Sequence, residues 1–292
     1  MSADPARFTA QHPFLICIDS DGCAFDTMEI KHKECFCPAY IDHFSLQAVS
    51  KYAREAWEYT NLYSVTRGFH RMLTLLDSLD LLEKRSEVRE RGFHVPEYGA
   101  LRRWVDTAPV LSNDNLREAI HAQPDQPILR HALDWSIDVN ERVGQMVHGI
   151  PPFPHVRECL QMLHDQADIV VVSATQEKAL EREWGEHDLM RYVSRVCGQE
   201  SGSKAQIIKA LRPQYADHHV LMIGDALGDL KAAHANGALF YPIRPGEETA
   251  SWHEFIGILP AFLNATYGRE EEKLISRFHQ LLPDTPPWQS VS

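Results

Sequence analysis

Two acidic residues separated by one position, Asp19 and Asp21, directly follow a short apolar run in the order Ile18-Asp19-Ser20-Asp21-Gly22. An aspartate in such a place can attack phosphorus and form an aspartyl-phosphate. A second carboxyl group can protonate the leaving oxygen and later accept a proton from the attacking water. The pair therefore indicates phosphoryl transfer, although a solvated loop that carries two acids is an equal alternative for this pattern alone.

A segment with two hydroxyl groups, Val172-Ser173-Ala174-Thr175, ends a second apolar run. The hydroxyl of Ser173, together with backbone N–H groups of the following turn, can hold a phosphoryl oxygen. Thr175 is a further candidate for substrate binding. Both residues are also good helix N-caps, and capping is the stronger interpretation of this segment by itself.

A lysine and a second acidic pair complete the set of candidate residues. Lys204 opens a predicted helix after Ser201-Gly202-Ser203, where its charge opposes the helix dipole unless an anion lies nearby. Asp225 ends a third apolar run, and Asp229 follows one helical turn later on the same face. Such carboxylates suit Mg²⁺, which takes one or two of them plus water and phosphate. A surface lysine and a dipole-compensating acid pair are the alternatives.

The elements that position these residues read as an α/β fold. Apolar runs rich in Val, Ile and Leu predict buried parallel strands at Phe14–Ile18, 169–172 and 220–223, with weaker candidates at 192–197 and 238–241. Helical patterns at 154–166, 176–184, 204–211 and 227–236 separate them. This alternation predicts a doubly wound, Rossmann-like parallel sheet. Every candidate residue then lies where a strand ends, which is where open α/β sheets bind ligands.

The first strand is separated from the second by about 150 residues that read as helix after helix. The clearest helical stretches are 45–61, 67–82, 112–121 and 126–147. We therefore expect residues 1–27 and 150–292 to form a discontinuous α/β core, with an inserted all-helical domain at 28–149. Beyond Pro245 we expect two further helices and a disordered end around 283–292.

Composition excludes some classes of function. The formal net charge is -12 and no stretch concentrates Lys and Arg, so nucleic acid and anionic membranes are poor partners. No apolar run approaches the roughly 20 residues that a bilayer requires. The N-terminus lacks a signal-peptide core, and six cysteines in a chain of this size are no disulfide scaffold. A cytoplasmic location is therefore expected.

Together the four motifs resemble those of the haloacid dehalogenase-like (HAD) superfamily, over roughly residues 12–27 and 150–245. The resemblance implies a Rossmann-like core, a phospho-aspartate intermediate and bound Mg²⁺. The helical insertion is similar to the cap of the phosphatase and phosphoglucomutase branch. The chain departs from the usual pattern at Cys23, where these enzymes usually carry Thr or Val.

The resemblance also implies a role for each matching residue. Asp19 resembles the nucleophile and Asp21 the general acid/base, whose backbone carbonyl also binds the metal. Ser173 resembles the phosphoryl-binding hydroxyl and Lys204 the cation that neutralises the nucleophile. The metal ligands would be Asp19, Asp21, Asp225 and Asp229. Dehalogenation is disfavoured, because dehalogenases proper lack an acid equivalent to Asp21 and need no metal.

Three interpretations remain for the activity. Hydrolysis of a small phosphomonoester is favoured because it requires the fewest specific features of the inserted domain. A sugar-phosphate mutase or a phosphonatase, the latter needing a desolvated lysine such as Lys31, Lys33 or Lys51, is the enzymatic alternative. A binding protein that kept the fold is the non-enzymatic one. In the insertion, Arg67, His70 and Arg71 are candidate substrate-binding residues, although the favoured alternative is that the nearby aromatic side chains form the core of the insertion and the two arginines are solvated.

Overall fold

A computed structural model describes residues 5–289 and shows two compact units, an α/β unit of residues 5–28 and 149–283 and a helical unit of residues 29–148 and 284–289. In chain order the elements are β1 (Phe14–Ile18), α1 (Thr27–Ile30), a π-helical segment (Lys31–Phe36), α2 (Cys37–His43), α3 (Ser50–Leu62), α4 (Arg71–Lys84), α5 (Ser86–Glu90), α6 (Gly99–Thr107), α7 (Asn113–Ala122), α8 (Pro127–Met146), α9 (Val156–Leu163), β2 (Ala167–Val172), α10 (Glu177–Glu186), β3 (Arg195–Cys197), α11 (Lys204–Leu211), β4 (Val220–Gly224), α12 (Leu227–His234), β5 (Leu239–Pro242), α13 (Glu248–Leu263) and α14 (Gly268–Gln280).

The α/β unit contains a five-stranded parallel sheet in the order β3-β2-β1-β4-β5. The chain moves outward from β1 in one direction through β2 and β3, and in the other through β4 and β5. The strand order therefore reverses at β1, which is the place where doubly wound sheets form their ligand crevice. The doubly wound α/β fold with an all-helical insertion, predicted from the sequence, is confirmed.

Both faces of the central strand are buried. Phe14, Ile16 and Ile18 of β1 belong to a core that includes Trp184 of α10 and Phe255 of α13. The residues between them in β1 are equally shielded from solvent. A strand that is covered on both faces must be apolar throughout, which explains why the strands read as continuous apolar runs rather than alternating ones.

The helical unit encloses a cluster of aromatic side chains. The rings of Trp57 and Trp135 lie 5.8 Å apart in an edge-to-face arrangement, and Tyr40 and Phe36 pack against Trp57. These large rings are buried and give the unit its own core.

The predicted domain limits at residues 27 and 150 stay a prediction. Among the described residues, no helix has the length and apolarity needed to cross a membrane.

The sequence expectations for the end of the chain need correction. The expected disordered end is wrong for residues 284–289, whose Trp288 ring lies 5.6 Å from the ring of Tyr59 and under the guanidinium of Arg85. These contacts explain why this segment groups with the helical unit instead of the α/β core to which it was assigned. Residues 290–292 lie outside the described part of the chain.

Candidate active site

The ends of β1 and β4 bring two aspartates to the point where the strand order reverses. Ile18 pairs with Ile223 in the sheet, and the N–H of Asp19 donates to the carbonyl oxygen of Ile223 at 3.0 Å. Asp225 follows β4 one residue after its end. Because the two strands are parallel neighbours in this register, Asp19 and Asp225 leave the sheet side by side. Both are buried.

Asp229 joins this pair from the first turn of α12. One carboxylate oxygen of each of Asp19, Asp225 and Asp229 lies within 4.8 Å of the others. Gly224 makes the approach possible, because a β-carbon at that position would lie only 2.4 Å from Asp229 Oδ2. The Asp229 carboxylate also accepts a hydrogen bond from the N–H of Ala226 at 3.2 Å, which holds it at the start of the helix.

Lys204 contacts two members of the acid triad formed by Asp19, Asp225 and Asp229. Its Nζ lies 2.5 Å from Asp19 Oδ2 and 2.5 Å from Asp229 Oδ1. The helix that carries it begins with a capping box, in which the Ser203 hydroxyl accepts from the N–H of Gln206 and the Gln206 side chain accepts from the N–H of Ser203. This cap fixes the first turn of α11 despite the lysine at its N-terminus.

The pKa values in the cluster follow from burial and charge. Burial raises the pKa of Asp19 well above its ordinary value, and the carboxylates of Asp229 and Asp225 raise it further against the opposing charge of Lys204. Burial acts to lower the pKa of Lys204, but the Asp19 and Asp229 carboxylates outweigh it and hold that pKa above its ordinary range. The ammonium group is therefore charged at neutral pH.

The donor set fits a hard divalent cation. Three buried carboxylates face one ammonium group, which leaves two negative charges if all three acids are ionised. Buried charge without compensation is costly, and Mg²⁺ prefers carboxylate oxygens combined with water and phosphate. The predicted ligands Asp19, Asp225 and Asp229 are thus brought together by the fold, whereas the part of Asp21 predicted to bind the metal, its backbone carbonyl, stays a prediction.

Asp21 is held by two hydroxyl groups. Thr175 Oγ1 donates to Asp21 Oδ2 at 2.9 Å, and the Thr27 hydroxyl donates to Asp21 Oδ1. Gly22 follows with a φ of 72°, a conformation that glycine adopts without strain. The contact of Thr175 links the loop after β2 to the loop after β1. Its predicted role in substrate binding stays a prediction, and the structure gives its hydroxyl a partner in the protein.

Ser173 lies at the end of β2, beside β1. Its backbone N–H donates to the carbonyl oxygen of Cys197, and its hydroxyl accepts from the N–H of Thr175 at 3.2 Å. Ile18 is paired with Val171, so Ser173 leaves the sheet at the same edge as the acids. Its side chain is buried. Sequence reasoning missed Thr27, whose only signal was a hydroxyl at the start of a helix six residues after Asp21.

Cys23 occupies the position at which the chain departs from the family pattern. Its thiol is buried and lies 3.5 Å from the carbonyl oxygen of Ile223, to which it donates. Burial and the nearby carboxylates of Asp225 and Asp19 raise the pKa of this thiol well above its ordinary value. The side chain is thus a small protonated donor, which fits the place of a threonine or valine without disturbing the acids.

Candidate substrate-binding residues of the helical unit have partners within that unit. Arg67 is buried, and its Nη1 donates to the carbonyl oxygen of Leu62 at 3.0 Å. Arg71 Nη1 contacts Ser136 and Asn140, and His70 caps α4 by accepting from the N–H of Met72 at 3.3 Å. These contacts indicate structural roles. Binding of substrate by Arg67, His70 or Arg71 stays a prediction.

A parallel sheet with buried acids and a lysine at its switch point defines an α/β enzyme. The model of a family described as haloacid dehalogenase-like hydrolase matches residues 105–241 of this chain. This segment contains Ser173, Lys204, Asp225 and Asp229, and β1 adds Asp19 through its pairing with β4. The resemblance predicted from the four motifs is confirmed over this segment. A comparison with curated protein sequences found no match.

Solved structures resemble the chain at low sequence identity. A haloacid dehalogenase-like family hydrolase from Xanthomonas campestris is 13% identical, with 90% of this chain and 97% of that chain covered and a TM-score of 0.45. A hydrolase from Pseudomonas syringae is 13% identical, with 82% and 90% covered and a TM-score of 0.46. A protein described as a predicted phosphoglycolate phosphatase from Haemophilus somnus is 13% identical, with 80% and 86% covered and a TM-score of 0.45.

Proposed function

We propose that this chain is a Mg²⁺-dependent phosphatase that hydrolyses a small phosphorylated metabolite through an aspartyl-phosphate on Asp19. The observation that carries the proposal is the position of the Lys204 ammonium, 2.5 Å from both Asp19 and Asp229 beside the buried Asp225. An aspartate held next to fixed positive charge can approach an anionic phosphoryl group, whose negative oxygens would otherwise repel it.

The first half of the proposed reaction transfers the phosphoryl group to the protein. A carboxylate oxygen of Asp19 forms a bond to phosphorus while the bond between phosphorus and the leaving oxygen breaks. The carboxyl group of Asp21, oriented by Thr27 and Thr175, gives its proton to the leaving oxygen. Lys204 is protonated when the reaction begins, because Asp19 and Asp229 hold its pKa above the ordinary range, and its charge offsets that of the transferred group.

The second half releases inorganic phosphate. Asp21, now a carboxylate, accepts a proton from water as the water oxygen attacks phosphorus, and the bond from phosphorus to Asp19 breaks. Ser173, at the same edge of the sheet, supplies a hydroxyl for a phosphoryl oxygen. Asp19, Asp225 and Asp229 would hold Mg²⁺, which supplies Lewis-acid neutralisation of the phosphoryl oxygens when bound.

Two contacts of Lys33 disfavour the phosphonatase alternative at this residue. Burial acts to lower the pKa of Lys33, but the Glu29 carboxylate and the Tyr63 hydroxyl hold that pKa above its ordinary range. A lysine that forms a Schiff base must lose its proton to become a nucleophile. The contacts of Lys33 favour its protonated form, whereas a Schiff-base lysine must be deprotonated.

The proposal extends to location and partners. All six cysteines are buried free thiols, which supports a reducing compartment such as the cytoplasm. The net charge of -12 supports a small phosphorylated substrate over nucleic acid or an anionic membrane surface.

The decisive experiment measures phosphate release from a panel of phosphorylated metabolites, with Mg²⁺ and with EDTA, for the wild type and for Asp19→Asn. The asparagine has nearly the same shape but no nucleophilic carboxylate. We expect release that requires Mg²⁺ and is lost in Asp19→Asn while the variant stays folded by circular dichroism. Release that survives the substitution would refute the aspartyl-phosphate mechanism, and release that is unaffected by EDTA would refute the metal requirement.

A further inference from the structure

Ser20, the residue between the two acids Asp19 and Asp21, makes polar contacts with helix α10. It is completely buried. Its hydroxyl donates to Glu183 Oε2 at 2.8 Å and accepts from Trp184 Nε1 at 3.0 Å. A buried hydroxyl with one donor and one acceptor in place is fixed in direction, because rotation would break both hydrogen bonds.

The backbone of Ser20 transmits this orientation to the nucleophile. Its N–H donates to Asp19 Oδ1 at 2.8 Å. Its carbonyl oxygen accepts from the N–H groups of Cys23, Ala24 and Phe25 at 3.3, 2.9 and 3.0 Å. Both peptide groups that flank the Ser20 side chain are therefore hydrogen-bonded within the turn that carries Asp19 and Asp21.

Helix α10 is an appropriate support because it starts next to the loop that carries Ser173 and Thr175. Thr175 already contacts Asp21 directly at 2.9 Å. Glu183 adds a second link between the same two parts of the chain, further along the helix. Two links separated along a rigid helix fix an angle as well as a distance, which one link cannot do.

Packing alone does not require a glutamate here. Trp184 is buried and packs edge-to-face on Phe25, so the helix would be held against the turn by apolar contact. Glu183 is partly exposed and contributes little to that core. Its carboxylate nevertheless accepts the hydroxyl proton of Ser20, and a charged acceptor makes this hydrogen bond stronger than a neutral one.

We propose that Glu183 is a positioning residue that acts through Ser20: its hydrogen bond orients the turn that presents Asp19 and Asp21. The kinetic test of this inference rests on the proposed function. A second test, metal binding by the acid triad, does not depend on catalysis. Residues that orient functional groups in this way typically change activity or metal affinity by about 10- to 100-fold when they are removed.

The test compares Glu183→Ala, Glu183→Gln and Glu181→Ala in the full-length chain. Glu181 is an exposed acid on the same helix and serves as the matched control. We expect Glu183→Ala to lower kcat about tenfold or more while KM stays within about threefold. Glu183→Gln, whose amide oxygen still accepts from Ser20, should keep kcat within about threefold, and Glu181→Ala should behave as the wild type.

Binding of Mn²⁺, measured by calorimetry, gives the readout that does not depend on turnover. Mn²⁺ is the probe for the acid triad, and we expect Glu183→Ala to weaken it about tenfold and Glu183→Gln to leave it nearly unchanged. If the wild type releases phosphate from no substrate, the proposed function fails, and the Mn²⁺ affinities still decide whether Glu183 positions the acids.

A double-variant cycle separates a specific link from general loosening of the fold. If Glu183 acts through Ser20, the variant with both Ser20→Ala and Glu183→Ala should lose no more kcat than the worse single variant. Losses that multiply would overturn the proposal. It would also be overturned if Glu183→Ala matched Glu181→Ala in kcat and Mn²⁺ affinity, or if Glu183→Gln were as impaired as Glu183→Ala.

Discussion

Lys204 and Asp19 stand 185 positions apart in the chain, yet the ammonium of the lysine lies 2.5 Å from a carboxylate oxygen of the aspartate. The same ammonium group lies 2.5 Å from Asp229. Because it touches two of three clustered acids, Lys204 compensates much of the charge that the fold buries. This gives the lysine a structural role and a chemical role at one place.

We expect Lys204→Met to lower both stability and activity. Removing one partner of a buried ion pair leaves uncompensated charge, which typically costs about 3–5 kcal/mol in the free energy of unfolding. Loss of a fixed charge at the transferred group should lower phosphate release about 100-fold. Urea unfolding in EDTA measures the first effect and steady-state kinetics the second.

The control for this prediction is Lys209→Met, an exposed lysine on the same helix. It should change the free energy of unfolding by no more than about 0.5 kcal/mol. Equal stability losses in the two variants would mean that the buried contacts of Lys204 contribute nothing to folding.

Asp225→Asn should separate metal binding from stability. The carboxylate of Asp225 adds to the like-charge repulsion that helps raise the pKa of Asp19, so its neutralisation should leave the metal-free protein as stable as the wild type or more so. A ligand that binds the native state at 100 times its Kd stabilises it by about 2.7 kcal/mol. We expect Mg²⁺ to raise the melting temperature of the wild type and to have little effect on Asp225→Asn.

Glu181→Gln, which neutralises an exposed acid of the same unit, is the matched control and should retain the full response to Mg²⁺. A metal-free Asp225→Asn that melts well below the wild type would contradict this electrostatic account of the triad. A normal Mg²⁺ response in that variant would show that Asp225 is not a ligand.

Part of this site could be predicted from the sequence because Asp19, Ser173 and Asp225 each lie at the end of a strongly apolar run. Apolar runs marked β1, β2 and β4, and parallel strands must deliver their carboxyl ends to one edge. The predicted strand at Phe14–Ile18 and the predicted helix at Lys204–Leu211 agree with the structure residue for residue. Local pattern and topology together therefore bring Asp19, Lys204 and Asp225 to the same place.

The contacts that orient the site could not be predicted in this way. Glu183 lies on an ordinary helix face, and nothing in its neighbourhood in the sequence distinguishes it from Glu181. Its contact with Ser20 depends on how α10 packs against the turn that follows β1, and the two residues are 163 positions apart in the chain. The contacts of Arg71 could not be predicted either, because its partners on α8 are distant in the sequence and are brought close only by the packing of the helices.

Thr175→Val should lower turnover without weakening substrate binding. The valine keeps the shape of threonine but removes the hydroxyl that donates to Asp21 Oδ2 at 2.9 Å. A misdirected acid/base should reduce kcat by about tenfold or more, with KM within about threefold. Thr175→Ser retains the hydroxyl and should restore most of the turnover. A raised KM at normal kcat would instead assign Thr175 to substrate binding, as its sequence pattern suggested.

Arg71→Met should affect the stability of the helical unit and leave KM unchanged. The guanidinium donates to Asn140 Oδ1 at 2.8 Å, contacts Ser136, and lies 5.0 Å from the ring centroid of Phe36. Burial lowers the pKa of Arg71 to about 10. Methionine preserves the aliphatic stem but loses these contacts, so we expect a decrease of about 2 kcal/mol in the free energy of unfolding.

The control is Arg103→Met, an exposed arginine on α6 of the same unit, for which we expect a change below about 0.5 kcal/mol. Urea unfolding gives the stabilities, and KM is measured on whichever phosphorylated compound the wild type hydrolyses. A stable Arg71→Met variant with a strongly raised KM would show that this guanidinium serves the substrate. The contacts of Arg71 with α8 would then not be its main role, because a side chain that binds substrate must be able to break such contacts.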